Sequence, residues 1–278
     1  MALLSLVFLL IAIILGFFRK MNTGLVSIAF ALVLGRLAGV SDAVIIKGFN
    51  SSLFMMLLGV TYLFSLAQLN GTLELLAHKV VALAGKRIYL IPVIIYVFST
   101  ILSALGPGTV PTMAIMMVFA MALAAELGIT PVLLSALIVL GASGGGVSPL
   151  AATGIIGIKL CADFGLHDIG QQFLLNGVLS STVYAVIIYI ALGGYKLESH
   201  LTMTTNAHIS FDKKQLITLA GIGVMVLLVL LFKFNVGLVS FAVAAVLSFL
   251  RVSDESKALK QVPWGTLLLI TGVGVLMQ

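Results

Sequence analysis

Apolar residues in this chain neither alternate nor recur as stripes; they come in long runs separated by short polar gaps. Windows of bilayer-entering length lie at about residues 2–18, 23–40, 50–68, 88–105, 111–127, 131–162, 172–194, 214–232, 235–251 and 263–278. Continuous apolar character over such lengths predicts transmembrane helices rather than buried strands, so the expected fold is an all-α integral membrane protein. Between the third and fourth windows, NGTLELLAHKVVALAGKR mixes charged and apolar residues at helical spacing. An amphipathic helix lying in the membrane interface is expected there. The one long polar stretch, Tyr195 to Lys214, reads as a linker between two halves.

Those halves carry a repeat. Asn22 begins NTGLVSIAFALVL and Asn235 begins NVGLVSFAVAAVL, with nine of thirteen aligned positions identical. After a one-residue gap Val40-Ser41-Asp42 meets Val252-Ser253-Asp254, and register then recovers to place Gly59-Val60 opposite Gly272-Val273. Apolar composition inflates chance identity, but a matched order of Asn, Gly, Ser and Asp is hard to reach that way. The period is about 213 residues. The expected organisation is a first transmembrane repeat over 1–194, a cytoplasmic linker over 195–213 and an incomplete second repeat over 214–278. Gln278 falls opposite Ser65, so a fragment of a longer two-repeat protein is expected.

Charge decides topology. With the N-terminus outside, and the fourth and fifth windows forming a re-entrant hairpin, eleven Lys and Arg residues fall on the cytoplasmic side and four on the other. The first repeat then crosses an odd number of times, which forces the second into the opposite orientation. Inverted repeats of this kind build many secondary transporters.

Two uncharged breaks interrupt the apolar runs. In SALGPGTVPT, Ser103 to Thr112, two glycines and two prolines fall within six residues. Pro107 and Pro111 oppose a continuous helix, and Gly106 and Gly108 permit positive φ. Irregular backbone at membrane depth is tolerated where protein buries it or where it lines a watery cavity. The expectation is a hairpin tip dipping in from the cytoplasmic side. Free N–H groups would start a new helix near Thr109 to Met113 and face an anion; the alternative is a plain turn outside the membrane. The second break is GASGGGVSPLAATG, Gly141 to Gly154, inside a run longer than one crossing needs. A helix unwound there would offer carbonyls and the hydroxyls of Ser143 and Ser148 to a hard cation, with sodium near Ser143, Gly145 and Ser148. It would also offer a new helix N-terminus around Leu150 to Thr153 to an anion. The alternative is close helix packing through small residues.

Composition narrows the classes. Hydrophobic residues make up 61% of the chain and charged residues 9%, with a mean hydropathy of +1.26. Soluble domains carry roughly a quarter charged residues, which excludes that class. The net charge of +6 belongs to topology-setting loops, so no nucleic-acid partner is expected. One cysteine and four histidines without ligand spacing leave no metal site. No cofactor is called for, and no phosphate loop or nucleophile elbow is present, so an enzyme is not expected.

On LGVTYLFSLAQLNGTLELLA (Leu58 to Ala77), SALGPGTVPTMAI (Ser103 to Ile115) and GASGGGVSPLAATGII (Gly141 to Ile156), the chain resembles the N-terminal region of the MatC dicarboxylate (malonate) carriers. These are part of the broad superfamily that includes sodium-coupled di- and tricarboxylate carriers. The likeness covers most of residues 1 to about 195. It implies a re-entrant hairpin, a broken helix and a three- or four-carbon dicarboxylate held between them. Sodium-coupled relatives carry Ser-Asn-Thr at the hairpin tip, where this chain reads Gly106-Pro107-Gly108-Thr109. The resulting expectation is a secondary transporter of small dicarboxylates, multi-pass in the cytoplasmic membrane, working by alternating access with sodium or a proton as coupling ion. Its substrate contacts would be Gly106, Pro107, Gly108, Thr109 and Thr112 with Ser143, Gly144, Gly145, Gly146, Ser148, Pro149 and Thr153. A homodimer or a second half-chain would complete the site. The alternatives are a non-transporting scaffold subunit and an ion/proton antiporter of related fold.

Overall fold

The computed structural model describes residues 2–82, 84, 87–197, 210–232 and 234–277, and most of the expected linker (198–209) lies outside the described residues. Among the described residues the chain is all helical. Helices α1 (Ala2–Arg19), α2 (Thr23–Leu37), α3 (Asp42–Lys47), α4 (Ser51–Leu69) and α5 (Thr72–Ala82) come first. Helices α6 (Ile91–Ala104), α7 (Thr109–Leu127), α8 (Pro131–Gly146), α9 (Ala152–Asp163) and α10 (Gly170–Ala191) follow. Beyond the linker come α11 (Lys213–Phe232), α12 (Val236–Phe249), α13 (Glu255–Gln261) and α14 (Trp264–Met277).

By length and composition, the stretches Asp42–Leu69 and Gly170–Ala191 can each cross a membrane, and a third can if α13 and α14, bent by 50°, are one broken span. Helices α2, α6, α8 and α12 are apolar but only 14 to 16 residues long. At 1.5 Å per residue such a helix covers roughly 21–24 Å, less than the ~30 Å hydrocarbon core. Leu175, Leu179, Tyr184, Ile187 and Ile190 of α10 all stand exposed. An apolar surface of that extent is stable against lipid and not against water.

Two compact units divide the chain: residues 1–58 with 262–278, and residues 59–261. Each holds helices from both repeats. In the first unit α2 packs along α14, both running the same way. The Asn22 amide Nδ2 donates to the Gly265 carbonyl at 2.6 Å, Gly24 lies against the backbone of Leu268 and Gly272, and Ala31 shares a core with Val275 and Leu276. Phe49, just before α4, packs on that core, so α4 begins where α14 ends. Phe8 of α1 meets Phe30 edge to face at 5.0 Å.

In the second unit α12 packs along α4, again in the same sense. Gly237 lies against Gly59, and further along both helices the Tyr62 hydroxyl is 3.0 Å from Ser248 Oγ. These are the repeat counterparts of the first unit's contacts: Gly24 corresponds to Gly237 and Gly272 to Gly59. Local structure follows the same register. The side-chain oxygen of Asn22 caps α2 by accepting from Gly24 N and Leu25 N, and that of Asn235 caps α12 by accepting from Gly237 N and Leu238 N. Ser27 and Ser240, also equivalent, are both fully buried with their hydroxyls unpartnered.

The amphipathic stretch forms α5, but Leu73, Leu75 and Ala77 are buried, and the helix packs on α6 and α7. Its apolar face is therefore covered at least partly by protein. Asn70 ties its start to α11: Nδ2 donates to Thr218 Oγ1 at 2.8 Å and the carbonyl accepts from Gln215 Nε2 at 3.1 Å.

At both glycine crossings a Cβ would overlap the neighbouring backbone, which cannot rotate aside. Gly59→Val is therefore expected to lower the melting temperature of the purified protein, at a cost on the order of 1–3 kcal/mol. Gly223→Ala in α11, where a Cβ meets nothing within 4 Å, is expected to be neutral or stabilising by roughly 0.5–1 kcal/mol. Equal melting behaviour of the two variants would contradict this account of the crossings.

Candidate functional site

The site grows from α8, whose final turns are almost devoid of side chains. A Cβ on Gly141 would lie 2.5 Å from the Tyr96 carbonyl of α6, and one on Gly145 would overlap the Thr100 carbonyl one turn further along. On another face, a Cβ on Gly144 would overlap Ser181 Oγ of α10. Small residues let α6 and α10 reach α8 at backbone distance, which is how helices pack where no hydrophobic force separates them from lipid. The three consecutive glycines are helical up to Gly146, and the unwound segment is Val147–Ala151. The unwound residues lie inside the expected stretch, Gly141 to Gly154, but the helix persists through its three consecutive glycines. Glycine's helix cost of about 1 kcal/mol is offset here by close packing on several sides.

Hydroxyls fill the interfaces. The Tyr96 hydroxyl sits 3.0 Å from Ser181 Oγ and 2.7 Å from Thr182 Oγ1, while Thr100 Oγ1 donates to the Tyr96 carbonyl at 2.9 Å. Ser103 at the end of α6 and Thr109 at the start of α7 both donate to the Ala142 carbonyl, at 2.7 and 3.3 Å. One carbonyl of α8 thus fixes both arms of the hairpin, and its tip is held against the glycine-rich end of the broken helix.

The tip itself is a tight reversal. Gly108 N donates to the Ser103 carbonyl at 3.3 Å, and Gly106 and Gly108 adopt φ of +155° and +77°, values that side chains disfavour. A Cβ on Gly106 would collide with the Phe64 ring of α4; Phe64 is buried and serves as the tip's floor. Pro111 does not break the helix, contrary to the sequence expectation. Helix α7 begins two residues earlier at Thr109, and proline in a first turn removes an N–H that has no partner to lose.

Beyond the unwound segment α9 starts at Ala152. Its break satisfies itself: Ser148 N donates to the Gly145 carbonyl, Ala151 N to the Ser148 carbonyl, and Leu150 N to Ser148 Oγ at 3.2 Å. A Cβ on Gly108 would be 3.6 Å from Ala152 N and 3.8 Å from Thr153 Oγ1. The N-terminus of α7, capped by Gly108, and the N-terminus of α9 therefore meet. Both present free N–H groups, and neither has a carboxylate in its first turn.

Of the twelve expected residues, Gly106, Pro107, Gly108, Thr109, Gly144, Gly145, Gly146 and Ser148 gather in this junction, mostly buried, with Thr153 at its exposed edge. Thr112, in the first turn of α7, is fully buried and its hydroxyl is unpartnered, as is that of Ser99 on α6. Ser143 and Pro149 are exposed and take no part in the contacts above. Sequence reasoning missed Phe64, Ala142, Ala152 and Gly154. Only Gly154 carried a legible signal: it closes the quoted stretch, and its missing Cβ lets α9 sit on the backbone of Val147 and Ser148.

Ser103→Ala is expected to remove one bond while Thr109 still reaches Ala142, costing about 0.5–1.5 kcal/mol in a thermal melt. Gly145→Ala must displace backbone and is expected to cost more than Gly146→Ala, whose Cβ meets chiefly the Thr109 hydroxyl. The reverse ranking would show that the hairpin is not held through α8.

A family model described as "Dicarboxylate carrier protein MatC N-terminus" matches residues 1–146, just over half of the chain. The match includes the hairpin and ends at Gly146, the last residue of α8. No curated protein matches the chain. The chain belongs to the MatC dicarboxylate carrier family by its N-terminal half.

Proposed function

From that membership, we propose that this protein binds a small dicarboxylate of the malonate or succinate kind at the junction of hairpin tip and broken helix. It carries the dianion across the cytoplasmic membrane by alternating access. The observation that carries the reading is the meeting of two helix N-termini at Gly108 and Ala152. Each contributes roughly half a positive charge and first-turn N–H groups without a helical partner, in α7 those of Thr109 and Val110 because Pro111 has none. Two such ends suit an anion with a carboxylate at each end, and a site made of backbone dipoles spares the membrane a permanently buried charge. Gly106, Pro107, Gly108, Thr109 and Thr112 supply one wall; the segment from Gly146 to Thr153 supplies the other. A sodium ion or a proton neutralises part of the dianion's charge during passage.

The proposed architecture is an inverted repeat with the N-terminus outside. Its support comes from helix direction within each unit. Helix α14 runs with α2, and α4 runs with α12. If α2 and α4 cross the membrane as successive spans they are antiparallel, so α14 opposes its own counterpart, α4. Opposed counterparts are what an inverted duplication requires.

Uptake of labelled malonate and succinate into liposomes containing the purified protein, with and without a sodium gradient, tests the function. Saturable uptake competed by dicarboxylates and not by acetate is expected. Thr153→Asp separates binding from folding. A carboxylate in the first turn of α9 favours the helix by roughly 0.3–1 kcal/mol, so melting should hold or rise. Substrate affinity should nonetheless fall by at least about tenfold, because the new charge occupies the anion's place. Uptake that survives this substitution unchanged would remove the site from the junction.

A further inference from the structure

The first unit contains a cavity of about 670 Å³ that the transport reading does not use. It lies between α2, α3 and the end of α14, within the usual range for small-molecule pockets of roughly 300–1,000 Å³. Its walls are largely apolar, with Ala31, Leu34, Val44, Ile45, Val275 and Leu276 prominent. One charged residue lines it, Lys47 at the end of α3.

The repeat explains why the space is there. Val275 corresponds to Tyr62 and Gly35 to Ser248. In the second unit Tyr62 fills the crossing of α4 and α12, and its hydroxyl meets Ser248 Oγ at 3.0 Å. In the first unit the same two positions carry Val275 and Gly35, both of which line the cavity. A phenol ring and its hydroxyl partner have been replaced by an isopropyl group and a hydrogen. One of two equivalent crossings is plugged by its own side chains; at the other Ile45 leans on Gly35, and the space beside Val275 is open.

Charge at the mouth selects the occupant. Arg36 is engaged by Asp42 at 2.8 Å, whereas among the described residues Lys47 has no ion pair or hydrogen bond. The neighbourhood therefore keeps one uncompensated cation beside an apolar slot, in a protein whose surroundings are lipid. We infer that this groove binds an anionic phospholipid of the bilayer, with an acyl chain between α2 and the end of α14 and the phosphate at Lys47. The two halves of the ligand match the two halves of the site: hydrocarbon replaces the missing tyrosine, and phosphate supplies the counter-charge that Lys47 lacks.

The test uses the full-length chain purified in detergent and titrated with phosphatidylglycerol or with phosphatidylcholine of the same acyl chains. Thermal melting and native mass spectrometry are the readouts, neither of which depends on transport, so failure here and failure of the dicarboxylate reading are separable. Phosphatidylglycerol is expected to raise the melting temperature and to remain as a one-to-one adduct, with phosphatidylcholine much weaker. Lys47→Gln, at an exposed position, should weaken the anionic lipid about tenfold and leave phosphatidylcholine unchanged. Val275→Tyr, which installs the residue found at the equivalent position, should abolish the adduct of either lipid. Equal binding of the two lipids overturns the proposal, as does an adduct indifferent to Lys47→Gln. A dimer without a lipid adduct, dissociated by Val275→Tyr, would assign the groove to a second copy and overturn it too. Should Val275→Tyr fail to fold, the Lys47→Gln comparison decides alone.

Discussion

The distance between α6 and α8 is the constraint on which the candidate site depends. It is set by glycines at 141 and 145, where a single methyl group would meet the carbonyls of Tyr96 and Thr100. Because those backbones touch, Ser103 and Thr109 reach the Ala142 carbonyl. That places the hairpin tip beside the unwound segment, and the tip's position is what brings the starts of α7 and α9 together. Remove the close approach and two helix N-termini still exist, but they no longer face one another. The glycines are thus structural in their immediate contacts, and the proposed site depends on what those contacts position.

A second constraint follows from the medium. In hydrocarbon an unpaired polar group costs several kcal/mol and a charge still more. The interior of this protein answers with hydroxyls: Tyr96 meets Ser181 and Thr182 between α6 and α10, Thr100 bonds back to the Tyr96 carbonyl within α6, and Ser103 and Thr109 tie α6 and α7 to the Ala142 carbonyl of α8. Hydroxyls can bond backbone carbonyls already used within helices, so they lock elements without needing a counter-ion. Under the proposed reading, the charge for an anion comes from helix ends, whose partial charges carry no separate cost of ionisation.

Much of this was legible in the sequence, for identifiable reasons. Glycine and proline have local effects, so the reversal at 106–108 and the new helix near Thr153 could be placed from composition alone. The repeat fixed Asn22 and Asn235 as equivalent, and their caps have the same geometry. What failed was anything that depended on neighbours. Gly144, Gly145 and Gly146 looked like an unwound segment because glycine is poor in isolated helices; α6, α10 and the hairpin press on them, and the helix persists. Ser143 and Pro149 belong to the right motif but point outside the junction's contacts, since helical and turn geometry alternates faces that a list of residues does not show. Phe64 lies 42 residues before Gly106, the tip residue it supports, and has no local signal at all.

The sequence repeat also gives many positions an internal reference. Glycine at 24 and 237, and at 59 and 272, has been retained in both copies, and each sits where backbone meets backbone. Positions 35 and 248, or 62 and 275, differ, and the structure changes with them from a filled crossing to an open one. An unfilled space costs dispersion contacts, so packing alone gives no reason for the open side. The open side retains its neighbouring cation at Lys47 as well. Lost packing is unfavourable alone, and Lys47 beside it is exposed and, among the described residues, without an ion pair. A single amphiphile answers both, hydrocarbon filling the space and phosphate meeting the lysine, and the proposed site turns on that pairing.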